Sequence, residues 1–175
     1  MMEEWIPIAS RYYWFYLSLL VLSRATDFLS TWIATPNLTL EGNPIAKKLG
    51  WRGATIVNLM ACVVFAAWPL VAISFSTTSV LVAARNFQSA WLMRTLGEEQ
   101  YRDWEVQRLQ ETSLALYLFC LFGQTLLTAG VGGMLMYFYD GSLVPFSIGL
   151  GIIAYAAAVA VYTLLSFWRI RRATG

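Results

Sequence analysis

Four long apolar runs, separated by more polar stretches, divide the chain. Their approximate bounds are residues 12–33, 54–75, 113–138 and 143–168. A helix needs roughly 20 predominantly apolar residues to cross the ~30 Å hydrocarbon core of a bilayer. The pattern therefore predicts an all-α fold, a polytopic membrane helix bundle with four transmembrane helices in a single integral membrane domain, residues 1–175. Pro69 falls inside the second run, where we expect a kink that neighbouring helices tolerate.

The second and third predicted spans are connected by a polar stretch, residues 79–112. Its first part has four apolar residues at helical spacing: Val80, Ala84, Phe87 and Trp91. This spacing is typical of an amphipathic helix on the membrane surface or of a cytoplasmic extension of span two. Gly97 is expected to end that helix, and residues 98–111 mix both charge signs, as a solvated helix does. We interpret the region as an amphipathic, charged cytoplasmic connector.

The loop after the first span has the features of a short helix on the outer side of the membrane. Asn43 is a good N-cap, and Pro44 suits the first helical position. Lys47 and Lys48 complement the negative end of the helix dipole, and Gly50 can adopt the left-handed conformation that ends a helix. A short outer-side helix is therefore predicted between spans one and two.

The distribution of Lys and Arg predicts the orientation, because cytoplasmic flanks retain positive charge. With four spans, the side that carries both termini has eight basic residues: Arg11, Arg85, Arg94, Arg102, Arg108, Arg169, Arg171 and Arg172. The opposite side has Lys47, Lys48 and Arg52. Both termini are therefore predicted to be cytoplasmic, in a prokaryotic cytoplasmic membrane. A five-span arrangement is disfavoured, since it buries Arg85 or Arg94 and places the basic C-terminus outside.

Composition supports the membrane prediction and excludes several chemistries. Hydrophobic residues make up 58% of the chain, charged residues 13%, and the net charge is only +2, so no nucleic-acid partner is expected. The chain has no histidine, which removes Ser-His-Asp catalysis and histidine-ligated zinc or haem. Cys62 and Cys120 lie in apolar runs and predict no disulfide. We expect no cofactor and no metal centre.

A polar stripe runs along the first predicted span. Its members follow the i, i+3, i+4, i+7, i+8 pattern of one helix face: Ser23, Thr26, Asp27, Ser30 and Thr31. Such a stripe must face protein or water. Arg24 precedes Asp27 by three residues, close enough for an intrahelical ion pair that lowers the cost of both charges in a membrane. The pair either holds helices together or belongs to a functional site.

Other polar side chains are predicted to approach this stripe from neighbouring segments. The full candidate set is Arg24, Asp27, Thr31, Glu41, Asn43, Asn58 and Gln124. Four spans place Asp27 and Asn58 at similar depth below the outer surface, with Glu41 and Asn43 in the loop between them. The sequence thus predicts an outward-facing polar pocket with the chemistry of a hard-cation, proton or polar-solute site.

Residues Trp14 to Phe75 resemble a family of small bacterial and archaeal multi-span membrane proteins, known only as a domain of unknown function. The motif is Asp-x-x-x-Thr followed by Glu-x-Asn-Pro, carried here by Asp27, Thr31, Glu41, Asn43 and Pro44. The resemblance implies a membrane protein with these residues at matching positions, and it implies no known activity. The charged connector and the last two spans lie outside it.

Three functions fit these patterns. The first is a non-enzymatic accessory or scaffold protein of a membrane complex, with membrane lipids and a homo-oligomer or larger complex as partners. Pairs of small residues on the last two spans, Ala129 with Gly133 and Ser147 with Gly151, suit close helix packing in such an assembly. The second is binding or transport of an ion, a proton or a small polar solute. The third is an intramembrane enzyme acting on a lipid head group, with Asp27 or Glu41 as general base.

Overall fold

The chain folds into six α-helices in a computed structural model that describes residues 5–41 and 44–174. In chain order they are α1 (Arg11–Ala34), α2 (Pro44–Phe65), α3 (Pro69–Leu96), α4 (Glu98–Glu111), α5 (Leu114–Tyr137) and α6 (Leu143–Thr174). The described residues contain no strand, which confirms the all-α prediction. Three of these helices, α3, α5 and α6, are long and apolar enough to cross a membrane.

Local signals in the sequence mark several helix ends. Ser10 caps α1 by accepting a hydrogen bond from the Tyr12 amide at 3.2 Å. Gly97, at φ 82°, separates α3 from α4. The turn before α6 contains Gly141 at φ 94°, a backbone angle that glycine adopts without steric cost. Helices α5 and α6 begin where the third and fourth predicted spans begin, within one residue.

The predicted second span is interrupted, so the expectation of one helix over residues 54–75 was wrong. Helix α2 ends at Phe65, a tight turn follows, and α3 begins at Pro69. Trp68 is extended, at φ −123° and ψ 104°, because a residue before proline is sterically pushed out of the helical region. Proline itself fits the first position of a helix, where no amide donor is needed. Pro69 therefore starts a helix and does not kink one.

The expected surface helix over residues 79–96 is the second half of α3. Ser79, Ala83 and Ala90 are buried, because α3 packs between α1 and α6 in the centre of the bundle. Two polar residues of this stretch, Ser79 and Asn86, form hydrogen bonds with α1, and α4 corresponds to the charged part of the predicted connector. Of the two expectations for residues 79–96, a surface helix or an extension of the preceding span, the structure has a continuation of the helix that begins at Pro69.

Helices α1 and α3 run in the same direction. The Arg24 side chain contacts Ser79 near the middle of α1, and Ser30 contacts Asn86 further along both helices. Helix α2, which joins them in the chain, runs in the opposite direction, since the Tyr13 hydroxyl at the start of α1 donates to the Val63 carbonyl near the end of α2, at 2.9 Å. The 66–68 turn is closed by short-range hydrogen bonds and contains two buried alanines.

Helix α6 is also parallel to α3, and α5 is antiparallel to α6. The Ser74 hydroxyl donates to the Ser147 carbonyl and the Thr78 hydroxyl donates to the Gly151 carbonyl, both at 2.9 Å. Because α1, α3 and α6 share one direction, α1 begins at one end of the bundle and α6 finishes at the other. This arrangement differs from the four-span prediction, in which both termini lie on the same side.

Helix α2 has two parts joined by a bend at Gly50. The backbone there has φ 63° and ψ −178°, a region that is essentially restricted to glycine. The short loop helix was expected to end at Gly50 in the left-handed conformation; the chain does bend there with a positive φ, but its ψ of −178° lies outside that conformation. After the bend, the Trp51 indole donates to the Pro36 carbonyl at 2.9 Å, and the Trp51 ring packs on Phe28 of α1. The loop and α2 are thereby held against α1.

Candidate functional site

A cavity of about 670 Å³ lies in the half of the bundle where α1 and α3 end. All six helices and the 35–41 loop contribute to its walls. Five of the seven predicted site residues line it: Arg24, Asp27, Thr31, Glu41 and Asn58. A volume of this size falls within the range of small-molecule sites. The residues of the predicted polar pocket therefore converge on one space.

One of the two remaining predicted residues, Gln124, lies elsewhere. Gln124 lies on the exposed side of α5 and lines a separate, shallower depression next to Arg85 and Tyr155. Asn43 lies outside the described residues. The structure does not bring Gln124 next to Asp27, because α5 packs against α6 and does not pack closely against α1.

Arg24 and Asp27 form the predicted ion pair. The Arg24 Nη1 atom donates to Asp27 Oδ2 at 2.6 Å and to the Ser79 hydroxyl of α3 at 3.0 Å. Asp27 is buried, with 9% of the residue exposed. The same arginine nitrogen thus connects the ion pair on α1 to α3, the central helix of the bundle.

The guanidinium of Arg24 also lies between two aromatic rings. Its Cζ atom is 5.6 Å from the Phe28 ring centroid and 5.3 Å from the Phe75 ring centroid, distances at which cation–π attraction operates. Its Nε atom is buried and has no hydrogen-bond partner among the described residues. The guanidinium is therefore neutralised, but its hydrogen-bonding capacity is not fully used.

The remainder of the polar stripe fixes the register of α1 on α3. The Asn86 amide nitrogen donates to the Ser30 hydroxyl at 3.2 Å and to the Thr31 hydroxyl at 3.1 Å. Ser23 and Ser30 are buried and donate back to carbonyls of their own helix. As predicted, this face of α1 is turned towards protein, and Thr26 alone of the five is exposed.

The loop and α2 supply the opposite wall. Glu41 lies close enough to Asp27 for the two carboxylates to interact electrostatically. The Asn58 amide donates to the Ala54 carbonyl of its own helix at 2.7 Å, so it bridges no other helix through that bond. Asp27, Glu41 and Asn58 therefore share this part of the cavity with Arg24.

Two charged cavity residues were absent from the predicted set: Arg85 of α3 and Glu105 of α4. Burial raises the pKa of Glu105 above its ordinary value, and the nearby Arg85 guanidinium acts in the opposite direction. The two residues are 20 positions apart in a region that the sequence pattern assigned to solvent. No local pattern indicated their proximity, because it depends on how α4 folds back over the end of α3.

Glu98, at the start of α4, holds the 35–41 loop. Its carboxylate accepts hydrogen bonds from the Thr35 hydroxyl at 2.7 Å and from the Asn37 and Thr39 amides at 2.8 and 2.9 Å. Burial by itself raises the pKa of Glu98, but these hydrogen bonds stabilise the charged carboxylate and have the larger effect. The net result is a pKa below its usual range. Glu98 thus fixes the segment that carries Glu41.

Within residues 5–41 and 44–174, no group of three Asp, Glu or Cys side chains is arranged to hold a metal ion. Comparison of the chain with protein-family models, with curated proteins and with solved structures gave no match.

Proposed function

We propose that this chain is an integral membrane protein that binds a small polar solute in the cavity between α1, α2, α3 and α6. The observation that carries the proposal is the convergence of Asp27, Glu41 and Asn58, from three separate segments, on one cavity of about 670 Å³. Polar groups in a membrane bundle are costly unless they pair with each other or line a cavity. Their convergence therefore favours solute binding over a purely structural role.

The chemistry of the walls favours an organic solute over a bare ion. Phe28, Phe75, Trp51 and other apolar side chains cover much of the surface, and a few charged groups are placed among them. Small-molecule sites have this composition, with apolar walls for contact area and a small number of polar groups for orientation. A monatomic cation would need more oxygen ligands than Asp27, Glu41 and Asn58 provide.

The test is a thermal-stability measurement of the purified protein with a panel of amines, amino acids, inorganic cations and lipid head-group analogues. A ligand at 100 times its dissociation constant adds about 2.7 kcal/mol to the stability of the state that binds it. We expect at least one solute to raise the melting temperature and Glu41→Gln to abolish the increase. The matched control is Glu99→Gln, which removes the same charge from an exposed position outside the cavity. The same loss in both variants would contradict the proposal.

We further propose that the bundle lies in the membrane with the N-terminus outside and the C-terminus in the cytoplasm. The four-span prediction assumed one helix where α2 and α3 form two. With the helix directions described above, one end of the bundle carries only Arg11, and the other carries Lys47, Lys48, Arg52, Arg94, Arg102, Arg108, Arg169, Arg171 and Arg172. The retention of positive charge in the cytoplasm then favours this second end as the inner one.

This orientation changes the predicted direction of the pocket. The 35–41 loop and α4 lie at the basic end, so the cavity opens towards the cytoplasm and not outwards. Cysteine substitutions at Asp140, in the α5–α6 turn, and at Arg108, on α4, test the orientation, each in a Cys62→Ala/Cys120→Ala background. An impermeant thiol reagent applied to intact cells is expected to label the first and not the second. Labelling of Arg108→Cys but not of Asp140→Cys would show that the orientation is the opposite one.

A second candidate function is the accessory or scaffold role in a membrane complex. It is favoured by α5, whose outer face is highly exposed, with Phe119 and Leu127 each 74% exposed. Lipid or a second subunit can cover such a face. If no solute stabilises the protein and cross-linking captures a stable oligomer through α5, this role replaces solute binding.

A further inference from the structure

The shallower depression lies on the side of the bundle, between α3, α5 and α6. Arg85, Gln88 and Ser89 of α3 line it together with Gln124 of α5 and Tyr155 of α6. Of the described residues in its walls, Arg85 alone is charged. Arg85, Gln124 and Tyr155 each lie ten or more residues from both ends of their helices. The depression is therefore at mid-height, on a side that lipid covers in the proposed membrane arrangement.

The polar side chains of this depression have unused hydrogen-bond donors. Within residues 5–41 and 44–174, no other residue accepts a hydrogen bond from the side chains of Arg85, Gln88, Gln124 or Tyr155. Polar groups without partners are costly where lipid replaces water. A ligand that accepts several hydrogen bonds at once would satisfy these donors.

The charge of Arg85 is also only partly compensated. The Glu105 carboxylate of α4 interacts with it electrostatically, but the two form no ion pair in the described part of the chain. Burial raises the pKa of Glu105 despite this arginine, so the attraction between the two groups does not offset the cost of burying the carboxylate. Arg24, by contrast, is bonded directly to Asp27. Arg85 thus has a positive charge that no described carboxylate contacts.

We infer that Arg85 binds an oxyanion, a phosphate or a carboxylate, in this depression, with the Gln124 amide and the Tyr155 hydroxyl as further donors. The planar guanidinium matches both oxyanions and can donate two parallel hydrogen bonds to either. The site goes beyond the proposed solute and does not depend on it, because Gln124 does not line the large cavity.

Two sources of the oxyanion are compatible with this position. The head group of an anionic amphiphile can enter from the lipid side, where Leu81 and Ala84 offer apolar contact to its tail. A dissolved anion can arrive through the large cavity, because Arg85 and Tyr155 line that space as well. The chemistry at Arg85 is the same in both cases, and the choice of probe separates them.

The experiment measures the melting temperature of the protein, purified in an uncharged detergent, with octyl phosphate, inorganic phosphate or octanol. Octyl phosphate and octanol share the same tail and differ in the anion. We expect octyl phosphate, and not octanol, to raise the melting temperature by about 3 °C or more. An equal shift from inorganic phosphate would identify a dissolved anion as a ligand of the site, and no shift from it would identify an amphiphile.

Arg85→Gln removes the charge and is expected to abolish the octyl phosphate shift. The matched control is Arg94→Gln, at an exposed position of the same helix that lines neither space, and it should keep the shift. If Arg85→Gln does not fold, Arg85→Lys takes its place. Lysine keeps the charge without the planar fork, so the shift should fall by half or more.

Three results would overturn the inference: no shift from either phosphate, an equal shift from octanol, or an equal shift in the variants of Arg85 and Arg94. The proposed solute binding is judged separately. A solute whose stabilisation is lost in Glu41→Gln and kept in Arg85→Gln would leave that function standing even if the oxyanion site is rejected.

Discussion

The contacts between α1 and α3 and those between α5 and α6 hold neighbouring helices together by different means. Across α1 and α3, Arg24 donates to Ser79 and Asn86 donates to Ser30 and Thr31. Across α5 and α6, Gly132 and Gly149 bring the two backbones close together. The first interface is directional and stands next to a cavity, whereas the second depends on close packing.

The difference indicates where ligand chemistry can occur in this bundle. Small residues allow backbone approach and leave no room for a solute. Buried polar side chains need hydrogen-bond partners. Where the protein supplies only some of them, the remaining donors and acceptors can bind a ligand. The cavity adjoins the polar interface, and Gly132 and Gly149 do not line it.

The largest expected effect follows from breaking the ion pair. Asp27→Asn leaves the Arg24 charge buried without its counter-ion, a change that costs about 3–5 kcal/mol for buried pairs. Denaturation of the purified variant measures the loss. Asp103→Asn, an exposed position outside the cavity, is the matched control and should stay within about 0.5 kcal/mol of wild type. A loss below about 1 kcal/mol in Asp27→Asn would show that the pair is not effectively buried.

The second effect tests close packing at α5 and α6. A Cβ atom at Gly132 would lie 2.6 Å from the Gly149 carbonyl oxygen, so Gly132→Ala forces the helices apart and should cost about 1–3 kcal/mol. At the next residue, Gly133, a Cβ meets nothing within 4 Å. Gly133→Ala should therefore be neutral or stabilising by up to about 1 kcal/mol, because alanine is the better helix former. Equal effects at the two positions would contradict the close approach.

The smallest effect concerns the loop that carries Glu41. Glu98→Gln removes a charge that accepts several hydrogen bonds and should cost about 1–2 kcal/mol. Because folding lowers the pKa of Glu98, its contribution is present above the ordinary value of 4.5 and is lost as the pH falls through the folded-state pKa. Unfolding measured from pH 7 down to pH 3 should show the wild type losing stability relative to Glu98→Gln. Parallel profiles would exclude this role.

The sequence predicted those features of the fold that depend on local chemistry. Gly97 and the break between the third and fourth predicted spans, residues 139–142, were placed correctly, because glycine and turn residues act within a few positions. The 66–68 turn was missed, because Ala66, Ala67 and Trp68 continue the apolar run without a glycine. That one omission merged two antiparallel helices and so predicted both termini at the same end of the bundle.

The candidate site, too, was predictable only where the local sequence pattern decides the position of a residue. Asp27 and Thr31 could be placed on an inward face because a polar stripe on an apolar helix has few other options. Arg85, Glu98 and Glu105 were missed as partners, since their positions depend on how α4 folds back over the bundle. Gln124 was misassigned because hydropathy does not say which helices are neighbours.

The cavity next to the α1–α3 interface must be accessible to solutes if it binds one. Asn58→Cys in a Cys62→Ala/Cys120→Ala background tests it directly, because the described Asn58 side-chain bond stays within α2 and its loss should spare the fold. We predict that small polar methanethiosulfonates label this cysteine in membranes, the cationic reagent faster than the anionic one. Leu127→Cys, on the exposed face of α5, should resist both reagents. If Asn58→Cys is as unreactive as Leu127→Cys, the cavity is closed to polar solutes and the account is wrong.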